Sequence, residues 1–176
     1  MKTLLLVRHA KSSWKEASLP DRDRPLNRRG NRDAPEMGRR LANLVGTVDL
    51  IVSSPATRAM ATARIVAEAM GYPADAIRED ERIYEAGPAD ILEVIREIDP
   101  DLDSVALFGH NPGLTRLVNE LSEPHVDNVP TCGAVELRLA IDRWADVSPT
   151  TARRAAFLTP KDQAGGTASR EAAPGE

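Results

Sequence analysis

Three short uninterrupted apolar runs constrain this chain most: "LLLV" from Leu4 to Val7, "DLIV" from Asp49 to Val52, and "SVALF" from Ser104 to Phe108. Each is too short for a buried helix and lacks the alternation of a half-wet strand, so each reads as a strand covered on both faces. Each also stops abruptly. The first ends at Arg8-His9, the second at Ser53-Ser54 and the third at Gly109-His110. A buried strand that ends in cationic or small polar side chains delivers chemistry to a surface.

Helical spacing separates these runs. Met37, Leu41, Leu44 and Val45 recur along one helix face, as do Ala59, Ala63, Val66 and Met70. Ser54-Pro55 reads as the N-cap and first residue of the second helix, which puts Arg58 in its first turn. Ile91, Val94, Ile95 and Ile98 follow the i, i+3, i+4, i+7 rule, and Asn111-Pro112 caps a helix whose inner face is Leu114, Leu117, Val118 and Leu121. Ala134 to Leu139 alternates like a strand with one wetter face, and Ala155 to Leu158 reads as a last edge strand. Pro35 must either open or kink the helix around it. Strands alternating with helices imply a largely parallel sheet with helices on both faces, whose ligands lie beyond the carboxyl ends of strands. At 176 residues one domain is expected, covering residues 1–160, with a disordered tail over 161–176 rich in Gly, Ala, Ser, Pro and charge.

Charge narrows the function. With 23 Lys and Arg against 27 Asp and Glu the net charge is −4, which argues against general nucleic-acid or membrane-surface binding. Any cationic site must be local. Arg8, His9, Arg58 and His110 all fall at strand ends or in a first helical turn, and together they suit phosphate, because guanidinium groups and free helical amides both bind its oxygens. Cys132 is the only cysteine, so no internal disulfide forms, and no Cys or His spacing matches a zinc site. Only four apolar residues precede Arg8, far short of the roughly 20 that a membrane helix needs. A cytoplasmic protein is expected.

In order along the chain, "VRHA", "SSPATRAMATA", "YEAG" and "GHNPG" resemble the histidine phosphatase superfamily over about Met1 to Leu158. The stretch "DRDRPLNRRG" and the short length are similar to its SixA-like phosphohistidine phosphatases. That resemblance implies a phosphoglycerate mutase-like three-layer α/β/α sandwich. It also implies a two-step phosphoryl transfer needing no metal or other cofactor, in which His9 attacks phosphorus, a phosphohistidine forms, and water releases phosphate. Arg8, Arg58 and His110 would stabilise the transition state, each such contact being worth about 2.7–4 kcal/mol. Glu85 falls where relatives keep a proton donor. The substrate would be a phosphohistidine on a partner protein or a small phosphate ester.

The chain departs from the superfamily at Ala10, where glycine is common, and at Lys15, where mutase-like members carry asparagine. Lys15 and the lack of a large insertion weigh against a phosphomutase. A non-catalytic module that only binds phospho-ligands is the main alternative. Cys132 and Arg138 have the spacing of cysteine-dependent phosphatases, but the intervening "GAVEL" alternates like a strand instead of forming a phosphate loop. Asp21 and Asp23 are expected to offset Arg22 and Arg24 at the pocket mouth. His125 is expected in a surface loop, and the roles of Lys11 and Ser12, like the oligomeric state, stay open.

Overall fold

A computed structural model describes residues 1–162; the expected tail lies, beyond Asp162, outside the described residues. Six strands form one sheet: β1 (Lys2–Arg8), β2 (Leu50–Ser53), β3 (Arg78–Glu79), β4 (Ser104–Gly109), β5 (Ala134–Leu139) and β6 (Ala152–Leu158). Their spatial order is β3-β2-β4-β1-β5-β6. The first four pair in parallel, while β5 runs antiparallel to β1 and β6 antiparallel to β5.

Because side chains alternate across a strand, the apolar runs feed two separate cores. Leu4, Leu6, Val105 and Leu107 face α3 (Pro88–Arg96) and α4 (Gly113–Leu121), meeting Ile91, Ile95, Leu114 and Leu117. Leu5, Val7, Ile51 and Phe108 face α1 (Arg28–Val45) and α2 (Thr57–Met70), meeting Met37, Leu41, Ala63 and Val66. All these residues are fully buried or nearly so, which is worth roughly 1.5–3 kcal/mol for each large side chain. The result is the three-layer α/β/α sandwich with a mostly parallel sheet.

The start of α2 and the exposure of β5 differ from expectation, and the place of Pro35 is narrowed. The α2 N-cap is Ala56, two residues beyond Ser54, because the Ser54 hydroxyl accepts the Ala56 amide and is drawn toward the strand ends. Of the two expectations for Pro35, opening the helix is excluded: Asn27 caps α1 by accepting the Gly30 amide, and Pro35 lies inside. The wetter face of β5 is reduced to Arg138, since Glu136 on that strand is only 3% exposed and pairs with Arg138. The cap of α4 stands close to its expected place, with Pro112 as N-cap and the Asn111 side chain accepting the Thr115 amide at 3.2 Å.

The two helices on the α1/α2 face approach closely at Gly38. A Cβ there would lie 2.8 Å from the Ala69 Cβ and 3.2 Å from the Val66 Cα. Gly38→Ala is expected to lower stability by about 1–2 kcal/mol in chemical denaturation, although alanine alone favours a helix by about 1 kcal/mol.

Candidate active site

β1 and β4 pair with Arg8 opposite Gly109, and the ladder continues one step, the His9 amide donating to the Gly109 carbonyl at 3.1 Å. The Ser54 amide donates to the Phe108 carbonyl at 3.0 Å. Three adjacent strand ends therefore sit level. The helices that follow β1 and β4 pack on opposite faces of the sheet, which leaves a crevice at the carboxyl ends of these two strands.

His9 and His110 face each other across that crevice, with ring centroids 5.1 Å apart. The His9 Nδ1 lies 2.8 Å from the Ala10 carbonyl, which can only accept. Nδ1 therefore carries the proton, and Nε2 presents its lone pair inward. Arg58 points its Nε at that Nε2 from 3.4 Å. The His110 Nε2 lies 2.7 Å from the Ser54 hydroxyl, which accepts from Ala56 and whose own proton has no other acceptor among the described residues, so the tautomer assigned to the ring is the one that accepts at Nε2. This leaves the His110 Nδ1 as a donor. It is buried and has no partner, as is the Nε of Arg8, whose NH1 donates to the Val129 carbonyl at 3.0 Å. Two such orphaned buried donors beside an inward-facing lone pair are costly unless a ligand with acceptor oxygens satisfies them.

Burial pushes the His9 imidazole down to about 4, and the nearby Arg58, Arg8 and Arg24 charges push the same way against the Ala10 carbonyl. Burial likewise lowers His110 to about 3, with His9 and Arg58 adding to it. Both rings are neutral near pH 7.

The stretch "DRDRPLNRRG" does more than frame the mouth. Asp21, in a short 3-10 turn, accepts from the Tyr84 hydroxyl at 2.7 Å and from Arg58 NH2 at 3.0 Å, while its carbonyl accepts Arg58 NH1 at 2.8 Å. Arg24 pairs with the other oxygen at 3.0 Å and donates to Ser12 at 2.6 Å. The Tyr84 hydroxyl, with Arg24 and Arg58, holds the Asp21 carboxyl down to about 2. Asp21 thus occupies both terminal nitrogens of Arg58 and turns its Nε toward His9. The expected Asp21–Arg24 pair is present, but Arg22 pairs with Glu81. Arg24 is buried as well.

Glu85 is exposed and lines, with His110, Asn111 and Arg116, a cavity of about 310 Å³. Its φ of 53° is unusual for a residue with a side chain. The turn that carries it packs on α4 at Gly113, where a Cβ would lie 2.1 Å from the Ala86 carbonyl oxygen. Cys132 stands outside this chemistry. Its amide braces the Arg8 and His9 carbonyls, and burial pushes its thiol up to about 12, the opposite of a nucleophilic thiolate. His125 is exposed, 3.6 Å from Glu123 and without a part in the site.

Residues that spacing alone does not place are Asp21, Tyr84 and the Ser54 hydroxyl. Each reaches the crevice through contacts across many residues of chain; all three lie within "DRDRPLNRRG", "SSPATRAMATA" and "YEAG", whose spacing gives none of these contacts.

Residues 4–121 match the model of the histidine phosphatase superfamily (branch 1). An uncharacterized protein of Mycobacterium tuberculosis is 33% identical over 165 residues, covering 88% of this chain and 100% of that protein. The solved structure of the SixA protein from Nakamurella multipartitia superposes with a TM-score of 0.77 at 26% identity, over 92% of this chain and 97% of that one. A protein histidine phosphatase SixA complexed with tungstate has the same fold, with a TM-score of 0.72 at 20% identity over 90% and 97% of the two chains.

The depressed histidines make folding stability depend on pH. Unfolded imidazoles take up protons below about pH 6.5, whereas His9 and His110 in the fold do so only near 4 and 3. The unfolded state binds more protons over that window, so stability falls as pH drops from 6.5 toward 4, by roughly 1–2 kcal/mol per ring at pH 5. Thermal melts between pH 7 and 5 are expected to show this fall, and the His9→Gln, His110→Gln double variant to flatten it.

Proposed function

This chain belongs to the histidine phosphatase superfamily, branch 1, whose fold and structural relatives support phosphatase activity, and we propose that it hydrolyses phosphohistidine or small phosphomonoesters through a phosphoenzyme on His9. The observation that carries this reading is the pair of unsatisfied buried donors, Arg8 Nε and His110 Nδ1, in the same crevice as the unprotonated His9 Nε2. A phosphoryl group has the acceptor oxygens that both lack.

In the first step the Nε2 lone pair of His9 forms a bond to phosphorus as the bond to the leaving group breaks. A neutral imidazole is a competent nucleophile without a separate base, since its proton sits on Nδ1 and is held by the Ala10 carbonyl. Arg8, His110 and the Nε of Arg58 donate to the phosphoryl oxygens, and fixed cations in a dry site stabilise the transition state more than solvated ones would. No step calls on a metal. Glu85, on the rim beside His110, supplies the proton to an alkoxide leaving group. In the second step water attacks phosphorus, its proton passes to the Glu85 carboxylate, and His9 departs neutral. An intracellular setting with reduced thiols fits the single buried Cys132.

The test is acid-quench and base-quench trapping with labelled substrate in excess chelator. Wild type is expected to turn over and to carry a base-stable, acid-labile label on His9, and His9→Ala to do neither. Turnover by His9→Ala would refute the assignment. Glu85→Gln is expected to slow an alkyl phosphate at least tenfold more than a phosphohistidine, because imidazole leaves with less need of a proton. Equal effects on both would remove Glu85 from that role. The kcat/KM profile is expected to hold its acid limb near pH 4, where the free His9 protonates, with no fall between pH 7 and 5.5.

A further inference from the structure

The start of a helix favours carboxylates, because its free amides and aligned peptide dipoles create positive potential there. α1 does the reverse. Its first turn contains no acidic residue and begins Arg28-Arg29, with Arg32 one turn further on. Arg29 and Arg32 share a single carboxylate, Asp33, at 3.4 and 3.2 Å. Among the described residues Arg28 and Lys15 have no ion-pair partner. With Asn27 these four cations line an open groove of about 660 Å³. Four lining cations against the carboxylates of Asp33 and of Glu16 beside Lys15 leave an excess of positive charge in one place, on a chain whose net charge is −4. Helix stability does not account for that concentration, since like charges repel and the dipole opposes them. An anionic ligand does.

The groove adjoins the candidate active site through a continuous set of contacts. Trp14, next to Lys15, is 72% exposed and carries the Arg24 guanidinium 3.5 Å over its ring. Arg24 binds Asp21, and Asp21 binds Arg58 beside His9. The bridge between Ser12 and Leu26 fixes the Trp14 loop against the start of α1. The cations are spread and wet rather than closed on one point: the side chains of Arg32 and Arg29 are 74% and 49% exposed. A compact polyanion would want them convergent and enclosed. An extended occupant that also offers an apolar side chain to Trp14 fits better.

We propose that this groove docks an acidic segment of a protein partner, laid along Lys15, Arg28, Arg29 and Arg32 with a hydrophobic residue against Trp14. Combined with the phosphatase reading, on which this step rests, the partner is a phosphoprotein substrate and the groove presents it to His9. Carboxylates then recognise the partner while the phosphoryl group alone enters the crevice.

The experiment is fluorescence anisotropy of the full chain with a dye-labelled Glu- and Asp-rich peptide bearing one central phenylalanine. Saturable binding is expected, weakened at least fivefold by Arg28→Glu and by Trp14→Ala. Arg28→Glu places a carboxylate in the first turn of α1, so its melting temperature should not fall and lost binding is not unfolding. Arg153→Glu makes the same charge change on β6 at the opposite end of the sheet and is expected to leave binding within twofold. Equal weakening by Arg28→Glu and Arg153→Glu would overturn the proposal, as would inorganic tripolyphosphate displacing the peptide while Trp14→Ala has no effect. Aryl phosphate hydrolysis, which needs only the crevice, is expected to be unchanged in Arg28→Glu. Absence of that hydrolysis in wild type would count against the phosphatase reading, while the peptide measurement would still decide the docking surface.

Discussion

Everything in the crevice depends on the parallel pairing of β1 with β4. Its register sets Arg8 opposite Gly109 and carries one hydrogen bond further, from the His9 amide to the Gly109 carbonyl. A one-residue slip would turn the Leu4–Val7 run inside out between two dry cores, exchanging Leu4 and Leu6 with Leu5 and Val7 and displacing both histidines from the strand ends. The register is therefore enforced by the packing of α1 and α2 on one side and α3 and α4 on the other. A few hydrogen bonds at the carboxyl ends of the central strands inherit the precision of the whole core.

The electrostatics follow from that burial. Two imidazoles and three guanidinium groups share a space with little water, and the fold resolves the conflict in two ways. It keeps both rings neutral, and it supplies one carboxylate, Asp21, to Arg24 and Arg58. Asp21 takes the terminal nitrogens of Arg58 but leaves its Nε pointing at His9. The Arg8 Nε and the His110 Nδ1 are left with nothing. A site built only for stability would not keep them so, since each unsatisfied buried donor costs about 1–3 kcal/mol. The same preference for ligand over stability recurs at the start of α1, where arginines replace the carboxylates that a helix favours.

The parts legible in the sequence are those governed by short-range pattern. Continuous apolar runs located β1, β2 and β4 and hence the positions of Arg8, His9 and His110, and helical spacing located the faces of α2, α3 and α4. Pattern fails where a long-range contact decides. Ser54 has the chemistry of an N-cap, yet its hydroxyl is committed to His110, and the helix starts two residues later. β3 comprises Arg78 and Glu79 alone, with no apolar signal, and exists because β2 offers an edge. Glu136 looks like a solvent-facing residue in an alternating strand but is buried against Arg138. Asp21 and Tyr84 lie 63 residues apart and meet only in the folded crevice. The chemistry-bearing strand ends could be read from spacing; the groups that orient them could not.

Catalysis at His9 depends on where a phosphoryl group sits, and a crystal structure of the protein with bound vanadate or tungstate measures that position. The expected result is an oxyanion whose central atom is bonded to, or in line with, the His9 Nε2, with oxygens accepting from the Arg8 Nε and the His110 Nδ1. An oxyanion bound away from His9, with those two donors still unpartnered, would contradict it.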